Sequence, residues 1–222
     1  AMSHDGNTLA IGASHEDSNA TGVNGDKGNN RSDNSGAVYV FVRTATTWSE
    51  QAYLKALNTG GNDAFGEKVA LSADGNTLAV AAPGEDSSSA GDPSDNKLSN
   101  SGAVYVWARS GNAWAQQAYL KASNLDEDDA FGQGLALSAD GNTLAVGAPE
   151  ESSQALGLNG DSADNSTSRS GAVYVFTRSG ANWVQKLYAK ASNTQAKDQF
   201  GASISLNADG TALLAGAHGE DS

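Results

Sequence analysis

Short apolar runs separated by polar, glycine-bearing turns make up this chain. Residues 77–81 and 143–147 each follow an Asp-Gly pair, which supplies the positive φ angles a two-residue hairpin needs. Before each such pair lies another run, at 66–72, 132–138 and 201–207, opened by Phe-Gly. A long polar loop then leads to 37–41, 103–107 or 172–176, which read Ala-Val-Tyr-Val followed by Phe or Trp. A short turn, such as 110–112, leads to a last run carrying Trp48, Trp114 or Trp183. Runs of this length bounded by Gly, Asn, Asp and Ser predict strands, here called A, B, C and D in order. Strand C offers no position meant for water, so it is expected to be buried on both faces, as where sheets stack on sheets. Strand B is apolar but small-sided, which suits a crowded inner position.

The four-strand unit recurs, and recurrence decides the architecture. The Asp-Gly turns begin at Asp5, Asp74, Asp140 and Asp209, spaced 69, 66 and 69 residues apart. From each of these aspartates to Glu16, Glu85, Glu151 or Glu220 is always 11 residues, and from Ser35, Ser101 or Ser170 to the next Asp-Gly turn is always 39. Only the stretch between varies: 19 residues from Glu16 to Ser35, 16 from Glu85 to Ser101, 19 from Glu151 to Ser170. All length change therefore lies in the B–C loop, and variable loops on a fixed scaffold are where function is often placed.

Four antiparallel strands per unit, stacked face to face, predict an all-β fold: a β-propeller of four-stranded antiparallel blades, with three full repeat periods and an incomplete blade at each end. The expected division is 1–64 (strands B, C and D), 65–130 and 131–199 (whole blades), and 200–222 (strands A and B). Closed propellers use about four to eight blades. An open arc leaves strand edges exposed to pairing. A homo-oligomer, or a place in a longer repeat chain, is therefore expected, with 201–217 completing a sheet with residues 37–55 of a neighbour.

Composition narrows the partners. With 13 Lys+Arg against 26 Asp+Glu, the formal net charge is -13. Such a surface repels phosphate backbones and anionic lipid heads, which argues against nucleic acid and membrane surfaces and for cations or basic and neutral partners. The absence of cysteine removes disulfides, thiolate catalysis and cysteine-ligated zinc. No run approaches the roughly 18 apolar residues of a membrane span, and no signal peptide is visible.

In a propeller the B–C and D–A loops share one rim, so the candidates there are read together. The acidic step after strand B is Glu16-Asp17, Glu85-Asp86, Glu151-Ser152 and Glu220-Asp221. As ligand contacts these are Glu16, Asp17, Glu85, Asp86, Glu151, Glu220 and Asp221. As a recurrent scaffold they would accept hydrogen bonds from loop amides. The first and third B–C loops share Gly-x-Asn-Gly-Asp, which places Asn24, Asp26, Asn159 and Asp161. The middle loop keeps Asp92 with Asp95 nearby. Such hard-oxygen donors suit calcium, although Asx turns account for the same residues. The recurring tryptophans read as blade packing rather than sugar platforms. No nucleophile motif, phosphate-binding loop or catalytic histidine pair appears. An enzyme would need paired carboxylates across the rim, as in glycoside hydrolysis.

Phe-Gly at the head of each unit and Gly147-Ala148-Pro149 at the end of strand B resemble the FG-GAP repeat, which builds the seven-bladed propeller of integrin α subunits. The SGAVYVF and Trp segments look like those of bacterial secreted and surface relatives. Other copies deviate, with Ala81-Ala82-Pro83, Gly12-Ala13-Ser14 and Gly216-Ala217-His218. The resemblance implies an extracellular or cell-surface module binding a protein or glycan ligand, with calcium support where present. The competing readings are a carbohydrate-active propeller and a purely structural repeat. Integrin propellers hold calcium between strands A and B. Here that connection is only the short turn at 72–77, so those sites do not transfer.

Overall fold

The computed structural model describes residues 1–221 and contains strands, turns and loops, with no helix among the described residues. Strands β1 (Thr8–Ala13), β2 (Gly22–Val23), β3 (Ala37–Thr44) and β4 (Thr47–Lys55) form the first sheet, ordered β1-β3-β4-β2. The second sheet follows the chain: β5 (Val69–Leu71), β6 (Thr77–Ala82), β7 (Ala103–Ser110) and β8 (Ala113–Leu120). The third does the same with β9 (Gly134–Leu137), β10 (Thr143–Ala148), β11 (Ala172–Ser179) and β12 (Asn182–Ala189). A hairpin of β13 (Phe200–Leu206) and β14 (Leu213–Ala217) ends the array. All strand pairs are antiparallel, as blades of a β-propeller are. No strand pairing joins the first sheet to the last hairpin among the described residues.

Two features differ from expectation. The chain does not enter at strand B: Met2 bridges Leu9, and Ala1 and Ala10 exchange backbone hydrogen bonds, so residues 1–3 occupy the strand A position. The first B–C loop also contributes β2, which pairs with the outer edge of β4. That edge carries free backbone groups, and the loop satisfies them. Gly66 and Gly132 precede the regular part of strand A, adopt positive φ and still donate to the Ala81 and Gly147 carbonyls of strand B.

Burial follows the strand roles. All of β6 is buried, and so are the first five residues of β7. Side chains from neighbouring sheets meet in continuous apolar layers. Leu78, Val80, Tyr105 and Trp107 of the second sheet pack with Ala10, Val38 and Val40 of the first. Leu144, Val146, Tyr174 and Phe176 of the third pack with Ala79, Val104 and Val106 of the second.

The recurring dipeptides meet in space. Each Phe of a Phe-Gly pair donates its N–H to the Ser carbonyl of the preceding Ser-Gly pair: Phe65 to Ser35, Phe131 to Ser101, Phe200 to Ser170. The two chains approach so closely that a Cβ on Gly36 would lie 2.1 Å from the Phe65 carbonyl oxygen, at a φ of 80° that disfavours other residues. Phe65 and Phe131 then reach into the next sheet and stack edge-on against Tyr105 and Tyr174.

Candidate ligand-binding rim

The acidic step is built into the sheet rather than displayed on it. Lys121 Nζ donates to Glu85 Oε2 at 2.8 Å and to Ser101 Oγ at 2.6 Å, with both members of the ion pair buried. Lys190 does the same with Glu151 and Ser170, at 2.7 and 2.6 Å. Lys55 does so with Glu16 and Ser35, at 3.0 and 2.7 Å. Burial holds all three lysines below the ordinary lysine range, opposed by the facing glutamate. A charge this deep persists only when paired and hydrogen-bonded. The triad ties the start of the B–C loop, its end and strand D of one sheet together. Strand D's Lys in the recurring Tyr-x-Lys-Ala segment is thus the partner that sequence reasoning missed, although it recurs in step with the glutamates.

The same glutamates receive the D–A loop of the preceding sheet. Asn58 Nδ2 donates to Glu85, Asn124 Nδ2 to Glu151 and Asn193 Nδ2 to Glu220. The carbonyl end of Asn58 accepts from the Tyr105 hydroxyl at 2.8 Å, and Asn124 accepts from Tyr174 at the same distance. Glu85 and Glu151 therefore turn their oxygens into the sheet junction, in keeping with the scaffold role that their recurrence suggests. Asp63 and Asp129, just before the Phe-Gly pairs, are buried beside it. Burial raises each carboxyl to about 7, with Glu85 or Glu151 adding repulsion, against a backbone amide that lowers it.

Asp17 and Asp86 each accept the N–H of the asparagine before a Ser-Gly pair, Asn34 and Asn100, at 2.8 Å. They remain partly exposed on the rim, and Asp221 is exposed. Asn24 and Asn159 are pinned to strand D: each donates its backbone N–H to the carbonyl of Tyr53 or Tyr188 and accepts that tyrosine's N–H on its own Oδ1. Asp26 and Asp161 cap Asx turns, accepting from Gly28 and Ala163. Asp92 accepts from Ser94, and Asp95 from Ser88 and Lys97. No group of three acidic or histidine side chains that could hold a metal is assembled among the described residues. The donor set expected for calcium is therefore dispersed over separate turns.

The rim is not uniform. At the first junction Gly84 lies against the D–A loop: it donates its N–H to the Asp63 carbonyl, and a Cβ there would sit 2.1 Å from the Asn62 carbonyl oxygen. Gly219 does the same with Asp198 and Lys197, at 1.9 Å. At the second junction the position is Glu150, which has a Cβ and makes no such bond to Asp129. Glu150 instead pairs with Arg169, whose Nη2 lies 2.8 Å from Oε1, and accepts from Gln199 Nε2 at 2.6 Å. Beside it runs a cleft of about 610 Å³ that extends to Asn62 and Asn100 and includes Glu127, Asp128 and Ser152. That size suits a small molecule or a few residues of a partner. Sequence reasoning passed over Glu150 and Arg169 because neither recurs. That departure from the repeat was the available signal.

Stacked antiparallel four-stranded sheets, held by Phe-Gly, Ser-Gly and Glu–Lys contacts, define a propeller-type repeat protein. The FG-GAP repeat matches residues 48–107 and 114–176, more than half of the chain, and the chain belongs to that family. No curated protein matches it in sequence. A crystal structure from Bacteroides uniformis, described as that of a 6-phosphogluconolactonase, is similar in fold with a TM-score of 0.53 and 12% identity. It covers 97% of this chain, whereas this chain spans 45% of that one. A hypothetical selenium-binding protein from Sulfolobus tokodaii has a TM-score of 0.38 at 12% identity, over 72% of this chain and 40% of its own.

Proposed function

We propose that the chain is a ligand-binding module of the extracellular or cell-surface kind. A protein or glycan ligand would seat in the rim cleft beside Glu150. The observation that carries this reading is a polar cleft bounded by Asn62 and Gly84 of the first junction and by Glu150, Ser152 and Arg169 of the second, where the residue in place of the junction glycine brings a carboxylate to the cleft wall. Glu127, Asp128 and the carboxamides of Asn62 and Asn100 supply acceptors and donors at the cleft surface, and Arg169 supplies a cation. Asp86 lies along the same loop. The formal charge of -13 favours neutral or basic ligands at this rim.

The test is binding to an array of immobilised oligosaccharides and short basic peptides, followed by amide-shift mapping of any hit. Glu150→Gly restores the glycine of the other junctions and should weaken a true rim ligand at least tenfold while leaving the melting transition in place. Gly84→Glu should separate the loops at the first junction and destabilise by about 1–3 kcal/mol, the range for forcing a side chain into occupied space. Ligand shifts that map away from the 124–130 and 150–169 loops, with affinity unchanged by Glu150→Gly, would overturn the assignment.

A further inference from the structure

The outer edge of strand D is closed in two units and open in the one between them. In the first unit β2 lies along it. Asn24 donates its N–H to the Tyr53 carbonyl at 2.8 Å, and Asn24 Oδ1 accepts the Tyr53 N–H at 2.9 Å. The third B–C loop repeats this. Asn159 donates to the Tyr188 carbonyl at 2.8 Å and accepts the Tyr188 N–H at 3.0 Å. The Gly157 carbonyl accepts from Lys190, and Leu158 bridges Ala189. Both covering segments read Gly-apolar-Asn-Gly-Asp, and the asparagine takes a positive φ that turns the chain away after it.

The second B–C loop is three residues shorter and lacks that segment. Tyr105 stands opposite Tyr119 as Tyr39 does opposite Tyr53 and Tyr174 opposite Tyr188, so Tyr119 turns the same N–H and carbonyl outward. Among the described residues no segment pairs with that edge of β8. Tyr119 and Ala118 are only partly buried, whereas Tyr53, Tyr188 and Ala52 are 1%, 4% and 2% exposed. A β-bulge interrupts each strand D, at Gln51, Gln117 or Lys186, so the regular open edge runs from Ala118 to Lys121. Charge does not guard it. Glu50 of β4 and Lys186 of β12 are replaced in β8 by Gln116 and Gln117, and β8 has no charged residue. The Lys121 ammonium beyond it is buried against Glu85. An open, uncharged edge is a template for another strand.

We propose that this edge docks an extended, basic segment of another protein, which adds a fifth strand to the second sheet. The two covered edges define what the occupant supplies. It carries a Gly-apolar-Asn step whose asparagine serves both backbone groups of Tyr119 and whose glycine carbonyl accepts from Lys121. In strand addition of this kind the main chain provides the affinity. Charge sets the class of partner. Asp92 of the short loop is exposed, and so are Asp26 and Asp161 of the loops in the units on either side. Lysines flanking the step complement them. A second copy of this chain is a poor occupant. Pairing two β8 edges would bring together two chains of net charge -13, and the Gly-apolar-Asn segments of that copy are already engaged on its own sheets.

The probe is the capped peptide Lys-Thr-Gly-Val-Asn-Gly-Lys, added to the 222-residue chain while amide hydrogen exchange is followed by NMR. Without peptide, the Tyr119 amide should exchange at least tenfold faster than those of Tyr53 and Tyr188. Saturating peptide should slow Tyr119 and Lys121 at least tenfold and leave Tyr53 and Tyr188 unchanged. Alanine in place of the peptide's asparagine should weaken binding at least fivefold, and glutamates in place of its lysines at least tenfold. Grafting residues 17–34 in place of 86–100 covers the edge from within the chain and should abolish binding. Unchanged Tyr119 exchange at millimolar peptide overturns the proposal, as does equal binding of the glutamate peptide or binding that persists in the folded graft. Tyr119 protection that rises with protein concentration in the absence of peptide also overturns it, since a second copy would then be the occupant.

Discussion

The first and second sheets carry nearly the same residues, yet only the second is packed between two other sheets among the described residues. In both, the Lys–Glu–Ser triad forms, because all three members come from a single sheet: Lys55 is as buried as Lys121. The Trp–Arg pair also forms in both, but only Trp114 finds its glutamine. Contacts within a unit are thus properties of the repeat, and contacts between units are properties of the neighbour. In arrays of this kind stability is a sum of unit and interface terms, and the two sheets separate those terms residue by residue.

The buried pair sharpens the contrast most. Lys121→Met leaves Glu85 buried without its cation and should cost about 3–5 kcal/mol. Lys55→Met should cost less, about 1–2 kcal/mol, because Glu16 keeps some contact with water and resembles a surface partner more closely. Chemical denaturation of both variants measures the difference. Equal losses would mean that the open face of the first sheet is covered in solution.

The Trp–Arg pair follows. Trp114→Ala removes a buried ring and one of the two donors to the Gln51 oxygen, for an expected loss of about 3–5 kcal/mol. Trp48→Ala removes a ring lying over Arg43 at the surface and should cost under about 1 kcal/mol. Thermal unfolding of the two proteins in the same buffer decides it, and similar shifts would dissolve the distinction between the two tryptophans.

The smallest effect concerns pH. Asp63 and Asp129 are raised by burial from 3.8 to about 7 at the two interior junctions. Between those values the folded chain holds protons that the unfolded chain has released. Their contribution to stability is therefore full below about pH 4, declines as pH rises to about 7, and is level above that. Asp129→Asn stays neutral throughout and should shrink the melting-temperature difference between pH 5 and pH 8. An unchanged difference would mean that the carboxylate is solvated in the junction.

Much of this was legible in the sequence. The four-strand unit was visible because Asp-Gly, Phe-Gly, Ser-Gly and the tryptophans recur at fixed distances, the dipeptides marking backbone demands that few residues meet and the tryptophans a packing position. The recurrence of Glu16, Glu85 and Glu151 was visible too, but not its meaning. An acidic residue at a loop start reads the same whether it faces water or a lysine about forty positions away. Glu150 and Arg169 were invisible to a search for repetition, since they matter by breaking it.

By itself, then, the sequence determined the strands, their order within a unit and the turns between them. Those rest on local φ preferences and on apolar runs that any antiparallel sheet of this length would bury. Only the tertiary structure decided which carboxylates are paired, which way the bulged Gln51, Gln117 and Lys186 point, and where the rim opens. Those depend on groups brought within about 3 Å by the stacking of separate sheets, a distance at which one methylene or one charge changes the outcome.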